Sequence, residues 1–125
     1  SEFRKNADWP QQALVEYLPL LSHPITQGVF RVLAFRSGGF YVTDPSIAQA
    51  LLQPEQSASI ENLPADQTPS PLVIATVGNG KVVAVGDPAF VGFWQHTETI
   101  VDYTVDYGQY DNAVLAKQIV DWLTE

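Results

Sequence analysis

The chain of 125 residues reads as one α/β domain, and three observations carry that reading. Two successive runs rich in β-branched residues, 72–77 and 81–85, flank a Gly-Asn-Gly turn. The closing segment Asp111–Thr124 carries an apolar stripe at helical spacing behind a capping residue. With 46% hydrophobic residues, a chain of this length fills one core and is too short for two ordinary ones.

Asp8-Trp9-Pro10 has the chemistry of a helix start, because Asp accepts from free first-turn N–H groups and Pro tolerates the first turn. The spacing predicts a short helix over Pro10–Leu18 with Leu14, Tyr17 and Leu18 on one face, ended by Pro19 and Pro24. From Gly28 to Phe35 the two alternating faces are both mainly apolar, which suits a strand covered on both sides. Ser37-Gly38-Gly39 is a turn, and Phe40-Tyr41-Val42 is rich in strand formers. Asp44-Pro45 repeats the cap-plus-Pro start and predicts a helix over Pro45–Leu52 with Ile47, Ala50 and Leu51 inward. Glu55 to Pro71, with three prolines among polar residues, is a long surface connection.

Leu72–Val77 and Lys81–Val85 are strands that the Gly78-Asn79-Gly80 turn folds into an antiparallel hairpin. Gly86-Asp87-Pro88 stops it. Ala89 to Tyr110 is an aromatic, glycine-punctuated excursion with a short helix near Phe90–Trp94, and it holds a local echo, Val101-Asp102-Tyr103-Thr104 then Val105-Asp106-Tyr107-Gly108. In the last helix Val114, Leu115, Ile119, Trp122 and Leu123 form the stripe expected to pack on the sheet.

Six basic against fourteen acidic residues leave a net charge of −8, which repels phosphate backbones and anionic lipids and excludes nucleic acid as the expected partner. Without cysteine there are no disulfides, thiolate metal sites or thiol nucleophiles. No apolar run approaches the roughly 20 residues of a spanning helix, so no membrane insertion by this segment is expected. Ser1-Glu2-Phe3 reads as a cloning remnant, with residues 4–125 a single domain cut from a longer protein.

Three segments carry a likeness. His23-Pro24-Ile25-Thr26-Gln27-Gly28-Val29, Gly80 to Phe90 and Asp111-Asn112-Ala113-Val114-Leu115, running on to Trp122-Leu123, resemble three ordered motifs of glutamine-amidotransferase-like domains, including those of gliding-motility and ABC-transporter auxiliary proteins. The resemblance implies a three-layer, flavodoxin-like α/β sheet with a late antiparallel hairpin. Only the second half is present, since the parallel strands and the nucleophile loop of true amidotransferases are missing. It further implies a bacterial, extracytoplasmic or membrane-associated parent protein. An incomplete sheet leaves an exposed edge for the rest of the parent chain, a partner protein or a second copy.

Candidate site residues follow from this frame. Asp87 sits at the carboxyl end of a strand, where open α/β sheets place ligand groups, although a local cap before Pro88 needs the same residue. Phe93, Trp94, His96, Tyr103, Tyr107 and Tyr110 offer an aromatic binding surface. His23 and His96, the only histidines, lack metal-ligand spacing, and no Ser stands in a nucleophile elbow, so no catalytic residue, metal or cofactor is assigned. Gly78-Asn79-Gly80-Lys81 precedes a strand, not the helix of a phosphate-binding loop. The leading expectation is a non-catalytic binding or scaffolding module acting through protein–protein contacts. One alternative is a hydrolase or transferase that joins Asp87 to His96 or His23 once the missing half is supplied. Another is a Ca²⁺- or glycan-binding module using Asp102, Asp106 and Asp111 or the tyrosines.

Overall fold

The computed structural model of the chain describes residues 14–35, 37–55, 69–86, 97–100, 103–106 and 109–125. The strands are β1 Leu14–Pro19, β2 Val32–Phe35, β3 Ala48–Ala50, β4 Leu52–Pro54, β5 Leu72–Val77, β6 Gly80–Val85, β7 Thr97–Ile100 and β8 Tyr103–Asp106. The helix α1, Asn112–Thr124, follows them. One sheet has the order β2-β1-β4, a second β3-β5-β6, and β7 with β8 forms a separate hairpin. All five strand pairings among the described residues are antiparallel. Strands and a helix around one core therefore stand as the architecture.

The two larger sheets meet at Leu51. Its carbonyl accepts from the Leu20 N–H at 2.9 Å, and its own N–H donates to the Leu72 carbonyl at 3.0 Å. The chain thus passes from one sheet to the other without leaving a buried amide unpaired. Ser70 adds a second tie, its buried hydroxyl lying 2.6 Å from the Leu52 carbonyl and 2.8 Å from that of Leu72. A third is backbone on backbone: the Gly38 N–H donates to the Gly86 carbonyl at 3.1 Å. A Cβ at Gly86 would lie 2.2 Å from the Gly38 oxygen, so only glycine fits that crossing.

The 72–85 hairpin has the expected form. Register runs from Leu72↔Val85 to Val77↔Gly80, leaving Gly78 and Asn79 as the loop, with Gly78 at φ 58°. Such a positive φ suits the primed turns that match strand twist. The closing helix also forms, but its buried face is Asn112, Leu115, Ala116, Ile119 and Trp122. Val114 and Leu123, expected in the stripe, are 41% and 42% exposed. Leu115, Ile119 and Trp122 pack with Val15, Tyr17, Val32, Leu51, Leu72 and Ile74, and Val83 and Val85 lie against that core.

Two expected helices are strands. Residues 14–18, read at helical spacing, form most of β1, where Val15 and Tyr17 are fully buried while Glu16 and Leu18 are half-buried. That alternation of period two places both on one face of a sheet. Pro45–Leu52 is likewise not helical. Asp44 does start a turn, with its Oδ1 accepting from the Ser46 N–H at 3.0 Å and hydroxyl at 2.6 Å, bonds that hold its carboxyl below the ordinary pKa. Its carbonyl accepts from the Ile47 and Ala48 N–H groups. Beyond this turn β3 pairs with β5, and Ile47, expected inward, is 49% exposed.

The strand expected from Gly28 starts at Val32, because Gly28 adopts φ 74° in a turn and Phe30 is 78% exposed. Val32, Leu33 and Ala34 are fully buried, as a strand covered on both faces requires. Of Phe40–Val42 only Phe40 pairs, in an isolated bridge with Ser70. The excursion before Tyr110 contains the β7–β8 hairpin where irregular chain was expected. The starts of both the first expected helix and the long connection, at Pro10 and after Glu55, run into chain outside the described residues, as does the short helix near Phe90–Trp94.

Candidate functional site

The Asp111-Asn112 pair clamps the helix start to the outer strand β2. Asp111 makes no side-chain cap bond to its own helix. Its Oδ2 instead accepts from the N–H groups of Phe30 at 2.8 Å and Arg31 at 3.1 Å, while its own N–H donates to the Arg31 carbonyl. Asn112, buried, accepts the Leu33 N–H on Oδ1 at 3.0 Å and donates from Nδ2 to the Leu33 carbonyl at 2.8 Å. The amide side chain pairs with Leu33 as a neighbouring strand would, which closes part of the β2 edge.

The segments around His23, Lys81 and Trp122 converge. The His23 ring meets the Trp122 ring edge-on, with centroids 5.5 Å apart. Lys81 Nζ lies 5.0 Å from the centroid of the same ring and donates to the Trp122 carbonyl at 2.9 Å. It also stands 3.6 Å from a Glu125 carboxylate oxygen. His23 Nδ1 accepts the Ile25 N–H at 3.1 Å, which places the proton of the neutral ring on Nε2. Burial holds this imidazole below its ordinary pKa, against a raising influence from Glu125. Beside the cluster lies a groove of about 360 Å³ whose walls include Ile47, Gln49, Ile74 and Thr76. Its one lysine already faces a carbonyl and a carboxylate of this chain, so the groove is a mixed polar and apolar slot with a compensated cation.

Asp87, Phe93, Trp94, His96 and Tyr107 lie outside the described residues, and Tyr103 falls in β8. Tyr110 is built into the framework: its hydroxyl donates to Glu16 Oε1 at 2.9 Å, and the Arg31 guanidinium lies 4.7 Å from its ring centroid. Arg31 also pairs with Glu16 at 3.7 Å. Among the described residues no group of three or more His, Cys, Asp or Glu could hold a metal ion. Nor is any helix among them long and apolar enough to cross a membrane.

The feature that residue-by-residue reading missed is a sheet face. In the β3-β5-β6 sheet, cross-strand partners share a face. One face carries Leu72, Ile74, Val83 and Val85 toward the core. On the other, β3 contributes Ala48 and Ala50, and β5 contributes Val73, Ala75 and Val77. The register adds Val82 and Ala84 from β6. Every side chain on that second face is apolar, and none belongs to the buried core. Val77 and Val82, at one end, are 63% and 52% exposed, and the other five side chains are half-buried. The signal was present in the near-continuous apolar runs 72–77 and 82–85, which mark strands meant to be covered on both faces.

Comparison of the chain with protein-family models, with curated proteins and with solved structures finds no significant match.

Proposed function

We propose that the chain is a non-catalytic binding module of a larger protein, the second half of a three-layer, amidotransferase-like α/β arrangement, acting through protein–protein contacts. The observation that carries this reading is the second, wholly apolar face of the β3-β5-β6 sheet. A sheet with α1 on one side and alanines and valines on the other has two of the layers that such an arrangement needs. A contiguous apolar patch on a strongly acidic chain marks an interaction site. The groove chemistry points the same way. His23 Nδ1 is engaged with Ile25 and Lys81 with the end of α1, so both act as framework groups and not as reacting ones.

The test is a change of polarity on that face. Val77→Lys and Val82→Lys replace exposed side chains, so the double variant should melt within a few degrees of the parent. An environment-sensitive apolar dye should brighten with the parent chain and lose most of that signal with the double variant. Equal dye signal from both proteins, or none from the parent, would remove this face as a binding surface and the reading with it.

A further inference from the structure

Independently of the second sheet face, we propose that the groove beside Trp122 binds a small organic monocarboxylate, with its carboxylate on Lys81 and its apolar body along Ile47 and Ile74. Cross-strand pairing sets the place. Gln49 opposes Ile74 and Thr76 opposes Lys81, so these four side chains share the face of the β3-β5-β6 sheet that carries Ile74 and Val83 toward the core. Trp122, from the last turn of α1, and His23 complete the walls. At about 360 Å³ the groove lies at the lower end of the roughly 300–1,000 Å³ of small-molecule sites.

Lys81 supplies the contact to the head group. An ammonium has three N–H donors, and the hydrogen bond that Lys81 makes among the described residues, to the Trp122 carbonyl at 2.9 Å, uses one of them. Glu125, at 3.6 Å, pairs with it by charge but stands too far away for a hydrogen bond. Its side chain is 65% exposed against 28% for Lys81, and so exposed a partner holds weakly. An incoming carboxylate that hydrogen-bonds to Lys81 displaces it. His23, with its proton on Nε2, responds to the Glu125 charge as well, so a carboxylate beside Lys81 is also felt by His23.

Charge and walls narrow the ligand class. Among the described residues that line the groove there is no carboxylate, and Asp44, next to the wall residues Pro45 and Ser46, is bound to the Ser46 N–H and hydroxyl. One lysine in a chain of net charge −8 favours a singly charged head over a phosphate or a dicarboxylate. Ile47, Ile74 and the indole of Trp122 offer the apolar surface that the body of the ligand covers.

The experiment titrates the full chain at pH 7 with hexanoate, benzoate and acetate, and with hexanamide and benzamide, following the Trp122 indole and Thr76 amide signals in nitrogen–proton correlation spectra. Hexanoate or benzoate should shift both signals and bind about tenfold or more tightly than its own amide, the difference a charge-assisted hydrogen bond makes. Acetate, which has no body, should bind more weakly. Lys81→Met should erase the preference for acid over amide, whereas Lys117→Met, on the exposed side of α1, should leave it. Glu125→Gln removes the competing carboxylate and should tighten the acids about two- to fivefold with the amides unmoved, a response that a purely structural Lys81 does not give. Amides that bind as well as the acids, or Glu125→Gln without effect, would overturn the carboxylate site. So would silence of both signals with every compound well above about 1 mM. All of these signals come from the groove side of the sheet, so the outcome is separate from that of the dye test on the Val77 and Val82 face.

Discussion

Asn112 does at the edge of β2 what another strand would do, and its removal should show what an unpaired edge costs. Asn112→Ala strands the Leu33 N–H and carbonyl in a buried site, so urea unfolding should reveal a loss of about 2–4 kcal/mol. Asn112→Asp should not rescue it, because it sets a carboxylate against the Leu33 carbonyl. His23 makes a prediction of opposite kind, about pH. Its folded pKa lies below the unfolded value of 6.5 through burial, so the unfolded chain takes up the proton first. Its contribution to stability is whole above that value and declines as the pH falls from it toward the folded pKa. Protonation of Nδ1 also removes the acceptor for Ile25, with Lys81 and Glu125 the charged groups gathered at the same tryptophan. Between pH 7.5 and 5.5, His23→Gln should show a shallower fall in denaturation midpoint than the parent; parallel curves would refute this account. The Asp-Asn pair was legible in sequence as the start of the helix, but the capping bond expected of it is not made. Its actual partners, 79 to 81 residues away, were not legible, because local patterning carries no information about which strand a helix start will meet.

At the scale of elements, what decided success was whether local spacing and tertiary pairing agreed. The hairpin 72–85 needed only its own turn chemistry, and α1 formed where its periodicity placed it, although Asp111 does not cap it and Val114 and Leu123 of the expected stripe stay exposed. For Leu14–Leu18 the spacing of Leu14, Tyr17 and Leu18 satisfies a helix, yet Val15 and Tyr17 satisfy a strand, and pairing with both β2 and β4 settled the contest. Asp44-Pro45 began a turn as its residues require, then lost the following residues to β5. The helix end shows the same dependence on distant chain. α1 has no basic residue in its last turn, and Lys81 of β6 supplies the missing cation at the Trp122 carbonyl. Lys81→Met keeps most of the stem over the Trp122 ring but loses the cap, and thermal melts should show a loss of about 1 kcal/mol. Hydrogen exchange should speed first in the last turn of α1. An unchanged melt would mean that the cap contributes only geometry.

At the scale of the whole molecule, the two sheets and α1 share a single core, and Leu51 sits where all of them meet. That arrangement was only partly legible. A single core of strands and helix follows from length and periodicity, whereas the crossing of the chain between sheets at one residue depends on pairings that no local pattern records. The apolar second face was legible in principle, since alternate positions of β5 and β6 are apolar on both sides, but only register shows which seven side chains lie together. A shared core has a consequence for cooperativity. If the sheets were independent units, truncating a junction residue would affect one and spare the other. Leu51→Ala removes a fully buried side chain and should cost about 2–5 kcal/mol. Far-ultraviolet circular dichroism and tryptophan fluorescence should then report one transition, displaced by the same amount in both signals. Two separated transitions, with only one displaced, would show that the sheets fold apart and that the second apolar face belongs to a unit of its own.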